Sequence, residues 1–327
     1  MITDWILIRR VAAELERELG GGRVTDLGLL DDGRVGLRIA RRQGRGQATL
    51  AIDAFGSPPL VTVEQTELAV AIEPGWLRSA GTTLRGMRLG PVRARPGDRV
   101  LALDFGTASR FGVASEAQLV VELVPRYGNV VLLRAGVVVA AAKQFSPAEN
   151  EARSVQVGMP YEPPPLPSQS ALPKLLAASL AATPGEPASE LTARAERAAD
   201  GPGSAYVYRD AAGAVVAAHV VPLAQYAALQ VERVPLLLDV FAEVRTSTVR
   251  SRHGDAAERR RAALVARITK RASATAGEVA SVEARLAAGA ARDVLRRSGD
   301  ALFTYGHAIP AGTTAFTVPT EPELTIA

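Results

Sequence analysis

Residues 84–99 read LRGMRLGPVRARPGDR, and they determine the local fold of this chain. Two β-type runs, Met87–Val92 and Arg99–Phe105, lie on either side of the turn signal Pro96-Gly97, so the stretch predicts two adjacent strands. The charged residues of the stretch are Arg85, Arg88, Arg93, Arg95 and the pair Asp98-Arg99. One acid among five guanidiniums predicts a basic surface that suits phosphate, because the planar guanidinium matches phosphate oxygens.

The pair Asp98-Arg99 has two interpretations. Asp98 follows a Pro-Gly turn, where an aspartate commonly accepts hydrogen bonds from its own loop. In the other interpretation, Asp98 accepts hydrogen bonds from a base edge or a ribose hydroxyl while Arg99 holds phosphate. The residues alone leave both interpretations open.

The sequence around this stretch predicts one helix followed by a strand-rich unit. Residues 4–19 place most of their apolar side chains on one side and end at three glycines, as helices do. A second short helix is predicted at Trp76–Leu84, and strands at Arg23–Leu30, Val35–Ala40, Ala48–Ile52, Leu60–Val63, Ala117–Leu123, Asn129–Arg134 and Val137–Gln144. Ala135-Gly136 predicts a hairpin turn between the last two strands.

A proline-rich stretch that starts at Tyr161 predicts a domain boundary. Beyond it, two short helices within 171–199 meet at Thr183-Pro184-Gly185, the spacing of a helix-hairpin-helix. Such a turn exposes backbone N–H groups that can bind phosphate, so Pro184 and Gly185 are candidate contacts with the RNA backbone. A hairpin that only connects two helices is the alternative.

The last third of the chain predicts helices and a final strand. The helices fall at Leu236–Val249, Asp255–Ala288 and Arg292–Tyr305, with an interruption at Gly289. Thr313–Ala327 alternates like a strand and stops within its pattern, which predicts that this chain is the N-terminal part of a longer protein.

The composition excludes several classes of function. The 327 residues are 47 % apolar, which excludes wholesale disorder, and the net charge is +4. Without cysteine, the chain can form neither a disulfide nor a thiolate zinc site, and its three histidines lie far apart. There is no secretory leader pattern and no apolar run of about eighteen residues, so we expect a cytoplasmic protein without a membrane span. No catalytic motif is present, so we expect neither an enzyme nor a cofactor.

Several stretches resemble the NFACT family of ribosome-associated quality control factors. Asp4-Trp5 through Val24 resembles the opening helix and first strand of the family, and Leu84 through Val100 resembles its strand pair and Asp-Arg signature without a gap. Further similar stretches are Glu122-Leu123 through Leu132, then Lys143, Arg153 and Gly158–Tyr161 in family order, and finally Gly299–Leu302 and Ile309–Gly312. Where the family usually carries Leu-Arg-Lys, this chain has Ala80-Gly81-Thr82, and Arg78 is the basic residue nearby.

The resemblance implies an α+β fold in four parts. Residues 1–165 would form the NFACT-N domain, which is similar to the N-terminal domain of formamidopyrimidine-DNA glycosylases. Residues 168–203 would form a helix-hairpin-helix domain, 204–250 a connecting α/β segment, and 251–327 a truncated part of a coiled-coil arm. Glycosylase activity is not implied, because those enzymes need an N-terminal proline followed by glutamate and this chain begins Met1-Ile2-Thr3.

The resemblance also implies a function. The family binds large (50S) ribosomal subunits that carry peptidyl-tRNA, and it recruits alanyl-tRNA to add an alanine tail to the stalled chain. The residues implied in tRNA binding are Asp98, Arg99, Arg85, Arg88, Arg93, Arg95 and Arg78, and those implied in contact with the RNA backbone are Arg126, Asn129 and Lys143. The alternatives are a fibronectin-binding surface adhesin, which the missing leader and membrane span disfavour, and a nucleic-acid-processing enzyme.

Overall fold

The computed structural model describes residues 3–42, 46–69, 74–108, 114–124, 127–150, 153–166, 172–183 and 185–326, without the side chains of 108, 114 and 247–263. The chain divides into two compact units, residues 1–249 and 250–327. The boundaries at 165, 168 and 203 that the resemblance implies within the first unit stay predictions.

The first unit consists of a helix, a large sheet with a second helix inserted, and a smaller α/β part. The helices are α1 (Trp5–Leu19), α2 (Gly75–Leu84), α3 (Lys174–Ala182), α4 (Ala188–Asp200) and the start of α5 (Leu237–Tyr305). The strands are β1 (Arg23–Leu29), β2 (Val35–Ala40), β3 (Gln47–Asp53), β4 (Leu60–Glu64), β5 (Arg88–Ala94), β6 (Val100–Ala108), β7 (Ala114–Glu122), β8 (Asn129–Arg134), β9 (Val137–Ala141), β10 (Ala205–Arg209), β11 (Val215–His219) and β12 (Gln230–Val234). The structure is therefore mixed α+β.

Strands β1 to β9 form one antiparallel sheet in the order β4-β3-β2-β1-β5-β6-β7-β8-β9. The predicted hairpin between β8 and β9 is confirmed, and its turn residues Ala135 and Gly136 have positive φ angles of 48° and 77°. Two consecutive positive φ angles give the turn a twist that matches the flanking strands. The first four strands join the others where β1 lies beside β5. The residue pair that the two strands share is Arg23 and Arg88.

Apolar side chains cover both faces of strands β6 to β9. On one face they pack with α1 and α2 in the main core, which includes Leu15, Leu77 and Leu103. On the other face Val100, Val120 and Val131 pack against Val155 in a smaller core, which Phe145 and Tyr161 border. The segment after β9 therefore lies against the outer face of the sheet.

Helix α1 begins and ends where the sequence predicts. Asp4 caps it, because its Oδ1 accepts a 3.0 Å hydrogen bond from the backbone N–H of Leu7. The helix ends at Gly20, whose N–H donates to the carbonyl of Glu16 at 2.9 Å. Its face toward the core is apolar except for Arg10 and Glu14, which are almost completely buried.

The buried pair of Arg10 and Glu14 connects α1 to the end of α4 and the start of α5. The guanidinium donates to the Glu14 carboxylate at 2.5 Å and to the backbone carbonyls of Ala198, Gly201, Gly203 and Pro235. The carboxylate of Glu14 in turn accepts 2.9 Å hydrogen bonds from the backbone N–H groups of Leu237 and Leu238. Glu14 therefore caps the N-terminus of α5 from another helix.

The second unit contains the rest of α5 and a small hairpin of β13 (Phe316–Val318) and β14 (Glu321–Ile326). Three of the predictions for this region are wrong. The helices predicted to end at Val249 and to begin at Asp255 are one continuous helix. Gly289 does not interrupt the helix, because a glycine inside a long helix costs only about 1 kcal/mol. The single strand predicted at Thr313–Ala327 is two strands, which pack with Ala301 in a small core.

Candidate nucleic-acid interface

The Asp-Arg pair lies in the turn between β5 and β6, as the predicted strand pair requires. The N–H of Arg95 donates to the carbonyl of Val100 at 2.9 Å, which closes the turn. Gly97 has a φ of 73° there, a value that favours glycine. The turn therefore holds Asp98 and Arg99 directly before β6.

Asp98 is buried and fully engaged with its own loop. Its side chain is 5 % exposed. Its Oδ1 accepts from the N–H of Arg99 at 2.7 Å, and its Oδ2 accepts from the guanidinium of Arg95 at 3.1 Å. This arrangement is the loop-capping interpretation, so Asp98 positions its neighbours. The burial of Asp98 favours this interpretation over contact with a base edge or ribose, which stays a prediction.

Arg99 is half-buried, and its guanidinium makes no hydrogen bond within the described part of the chain. Burial lowers the pKa of Arg99, and the negative charges of Asp98 and Asp4 oppose that effect. An arginine remains protonated despite such a shift. The turn therefore presents a half-buried cation whose guanidinium has no hydrogen-bond partner in the described part of the chain and can bind an anion such as phosphate.

The other arginines of the stretch have partners that lie far away in sequence. Arg85 pairs with Asp26 of β1 at 2.6 Å, Arg93 pairs with Asp104 of β6, Arg88 donates to the carbonyl of Gly21, and Arg95 donates to the carbonyl of Pro164. The expectation of a basic surface almost without acidic partners was therefore wrong. The side chains of Arg85 and Arg93 are still 63 % and 60 % exposed, and exposed ion pairs are weak, so both remain able to contact RNA. Arg78 is exposed on α2.

A buried cluster of Glu122, Arg153 and Tyr161 supports the turn from the outer face of the sheet. The carboxylate of Glu122 accepts from Arg153 at 2.8 and 2.9 Å and from the Tyr161 hydroxyl at 2.7 Å. Burial raises the pKa of Glu122, and the positive charge of Arg153 opposes that effect. The next residue, Leu123, donates its N–H to the carbonyl of Arg99 at 2.8 Å, so the cluster and the turn are directly linked.

The raised pKa of Tyr161 predicts that the protein loses stability at alkaline pH. Burial and the carboxylate of Glu122 raise the pKa of Tyr161 far above its usual value. The folded protein therefore keeps the phenolic proton where the unfolded chain loses it, so this stabilisation is complete below about pH 10 and is lost as the pH rises further. Urea unfolding at pH 8 to 11 should show that the free energy of unfolding falls more steeply with pH for the wild type than for Tyr161→Phe. Equal slopes for the two proteins would contradict the raised pKa assigned to Tyr161.

Asn129 and Lys143 lie at the same end of the sheet. Asn129 is 1 % exposed, and its side-chain amide accepts from the N–H and donates to the carbonyl of Lys143 at 2.9 and 3.0 Å. Asn129 therefore positions the backbone of Lys143, and its contact with the RNA backbone stays a prediction. Lys143 is exposed, with its ammonium 4.6 Å from the ring centroid of Phe55. Arg126 lies outside the described residues.

The predicted helical hairpin is formed by α3 and α4. Gly185 lies in the turn with a φ of 102°, whereas Pro184 lies outside the described residues. Helix α4 begins after Pro187 without a side-chain cap. The phosphate contact predicted for this turn stays a prediction.

Sequence reasoning missed the exposed aromatic residues Phe55, beside Lys143, and Tyr127, before β8. Their position beside Gly56 and Gly128 was the available signal. Within the described ranges no group of three or more His, Asp or Glu side chains is placed to hold a metal ion. In the same part of the chain no helix is both long and apolar enough to cross a membrane.

Fold and site together define a mixed α+β protein that displays a half-buried arginine at one end of a large antiparallel sheet. The family described as NFACT N-terminal and middle domains matches residues 4–182. The chain therefore belongs to the NFACT family.

Two solved structures have a similar fold. One is the N-terminal part of the fibronectin/fibrinogen-binding protein of Streptococcus suis, with a TM-score of 0.55 and 18 % identity over 69 % of this chain and 92 % of that one. The other is the fibrinogen-binding protein of Staphylococcus aureus, with a TM-score of 0.55 and 15 % identity over 72 % of this chain and 96 % of that one. No curated protein matches the chain. At these identities the likeness shows the fold alone.

Proposed function

We propose that this chain is the tRNA- and large-ribosomal-subunit-binding part of a ribosome-associated quality control factor. It recruits alanyl-tRNA in the cytoplasm for C-terminal alanine tailing of stalled chains, without catalysing a reaction itself. Membership of the NFACT family supports this function. The observation that carries it is the half-buried guanidinium of Arg99, whose donors have no partner in the described part of the chain.

In this proposal each charged residue of the turn has a distinct role. Arg99 binds a tRNA phosphate, because a planar guanidinium offers two parallel N–H donors. Asp98 and Arg95 keep the turn in shape. Exposed Arg85 and Arg93 attract the polyanion from a distance. The N-terminal part would be similar to that of formamidopyrimidine-DNA glycosylases, and α3 and α4 would form a helix-hairpin-helix domain.

Arg99→Ala is expected to weaken tRNA binding by about 10- to 100-fold. This factor corresponds to the roughly 1.5–3 kcal/mol that hydrogen bonds to a charged group contribute. The slope of log affinity against log salt should fall by about one, because one phosphate contact is lost. Arg99→Lys should recover only part of the affinity, since an ammonium cannot bind phosphate in a bidentate way. Filter binding of tRNA at several salt concentrations measures both quantities.

Arg17→Ala is the matched control. Arg17 is an exposed arginine in the last turn of α1, so its replacement removes the same charge. It lies thirteen residues along α1 from Asp4, whose charge acts on Arg99, and thirteen residues of helix span about 20 Å. The control should keep wild-type affinity. Equal affinities of the wild type and Arg99→Ala would remove the role proposed for Arg99.

Fibronectin binding is the second candidate, since both similar structures carry fibronectin- or fibrinogen-binding names. Fractionation of cells distinguishes the two functions. Recovery with large ribosomal subunits favours the first proposal, whereas recovery on intact cell surfaces, together with saturable binding to immobilised fibronectin, favours the second.

A further inference from the structure

Phe55 and Tyr127 are unusually exposed for aromatic residues. Their exposed fractions are 52 % and 69 %, and every other described aromatic residue of the first unit is less exposed than these two. Tyrosine and phenylalanine rings are large apolar surfaces that a fold normally covers. Two such rings in the same unit therefore indicate a binding surface.

The loops that carry the two rings touch each other. Phe55 follows Ala54 in the loop after β3, and Tyr127 precedes Gly128 in the loop before β8. A Cβ atom on Gly128 would lie only 1.8 Å from the carbonyl oxygen of Ala54, so the two backbones are in direct contact. The two rings therefore extend from backbone segments that touch each other.

A cation lies beside the Phe55 ring. The ammonium of Lys143 is 4.6 Å from the centroid of the Phe55 ring, within the range of a cation–π contact. The buried amide of Asn129 holds the backbone of Lys143 in place. The charge is therefore kept next to an aromatic ring, and both remain partly open to solvent.

The aromatic patch adjoins the Asp-Arg turn. Val100 at the start of β6 pairs with Glu122 at the end of β7, and Glu122 pairs with Asn129 at the start of β8. Two strand spacings correspond to about 10 Å between the ends of β6 and β8. Arg99 directly precedes Val100, and Tyr127 lies two residues before Asn129. One RNA segment can therefore contact both places.

We propose that Phe55 and Tyr127 stack on unpaired RNA bases while Lys143 binds a phosphate next to them. This inference rests on the proposed function. Single-stranded RNA is typically bound by aromatic rings interleaved with basic side chains, since every base has a face that can stack. The flanking cations Lys143 and Arg99 favour RNA over an apolar protein partner, which would leave them without counter-charges.

The test replaces both rings and measures the binding of RNA. The probes are a short single-stranded oligoribonucleotide that contains 2-aminopurine, a duplex of the same length, and tRNA. Stacking contributes a factor of about 5 to 150 for each base, so Phe55→Leu with Tyr127→Leu should weaken single-strand binding at least about tenfold. The quenching of 2-aminopurine should disappear, whereas the affinity for the duplex should stay unchanged.

Matched variants separate stacking from folding. Phe55→Tyr with Tyr127→Phe keeps both rings and should retain wild-type binding, and thermal unfolding should be similar for all variants because both sites are exposed. If Arg99→Ala weakens tRNA binding but the double leucine variant does not, this inference fails alone. If the wild type binds no RNA, the proposed function fails with it. If the leucine variant loses a protein partner while its RNA affinity is unchanged, the patch is a protein interface and the inference is overturned.

Discussion

Replacing Glu14 with alanine is expected to lower the free energy of unfolding by about 3–5 kcal/mol, the typical effect of removing one partner of a buried ion pair. The change leaves the guanidinium of Arg10 buried without its counter-charge. It also leaves the N–H groups of Leu237 and Leu238 without acceptors at the start of α5. Chemical denaturation followed by circular dichroism measures the loss.

Two further variants show which contact matters. Glu18→Ala, also on α1, breaks only a surface pair with Arg41 and should cost at most about 1 kcal/mol. Arg10→Met with Glu14→Met removes both charges, a change that often restores stability when a buried pair stands alone. Here it should not, because the backbone groups of Gly201, Gly203 and Leu237 also lose their partners. A double variant as stable as the wild type would refute the capping role of Glu14.

Gly128→Ala is expected to lower the free energy of unfolding by about 3 kcal/mol, at the upper end of the usual range for overpacking. The added Cβ would lie 1.8 Å from the carbonyl oxygen and 2.8 Å from the carbonyl carbon of Ala54. Because both groups belong to backbone, no side-chain rotation can relieve the clash. The two loops must move apart, and they carry Phe55 and Tyr127 with them.

Gly75→Ala is the control for this substitution. No atom lies within 4 Å of a Cβ built on Gly75, the first residue of α2. Alanine there should change stability by less than about 1 kcal/mol, and in the stabilising direction, because it restricts the unfolded chain. Thermal unfolding of the two alanine variants gives the comparison. A Gly128→Ala protein that unfolds with the wild type would show that the loops do not touch.

Local patterns predicted most of the secondary structure in the first unit. The helix that ends at Gly20, the Ala135-Gly136 hairpin and the strands on either side of Pro96-Gly97 are all present. Each of them depends on residues that are close together in sequence. A capping aspartate, a turn residue with positive φ or an apolar period is visible without knowledge of the fold.

Contacts between distant segments could not be predicted in this way. The acidic partners of Arg85 and Arg93 lie 59 and 11 residues away, so the stretch appeared far more basic than it is. Whether Asp98 faces a ligand or its own loop depends on how deeply its side chain is buried. That burial depends on residues 153–166, which pack over the sheet and are distant in sequence. The place of Arg99 in the turn was predicted, but not that its guanidinium has no hydrogen-bond partner among the described residues.

The Glu14 cap has a consequence for the order in which this protein is completed. The bond from Leu238 to Glu14 joins residues 224 apart. At about 5–20 residues per second of translation, roughly 10 to 45 seconds separate the synthesis of the two partners. The segment that ends at the predicted boundary at residue 165 contains Glu14 but not Leu238, so α1 is synthesised well before the helix start that it caps. A nascent chain shorter than 238 residues holds Arg10 and Glu14 without this closure throughout that interval.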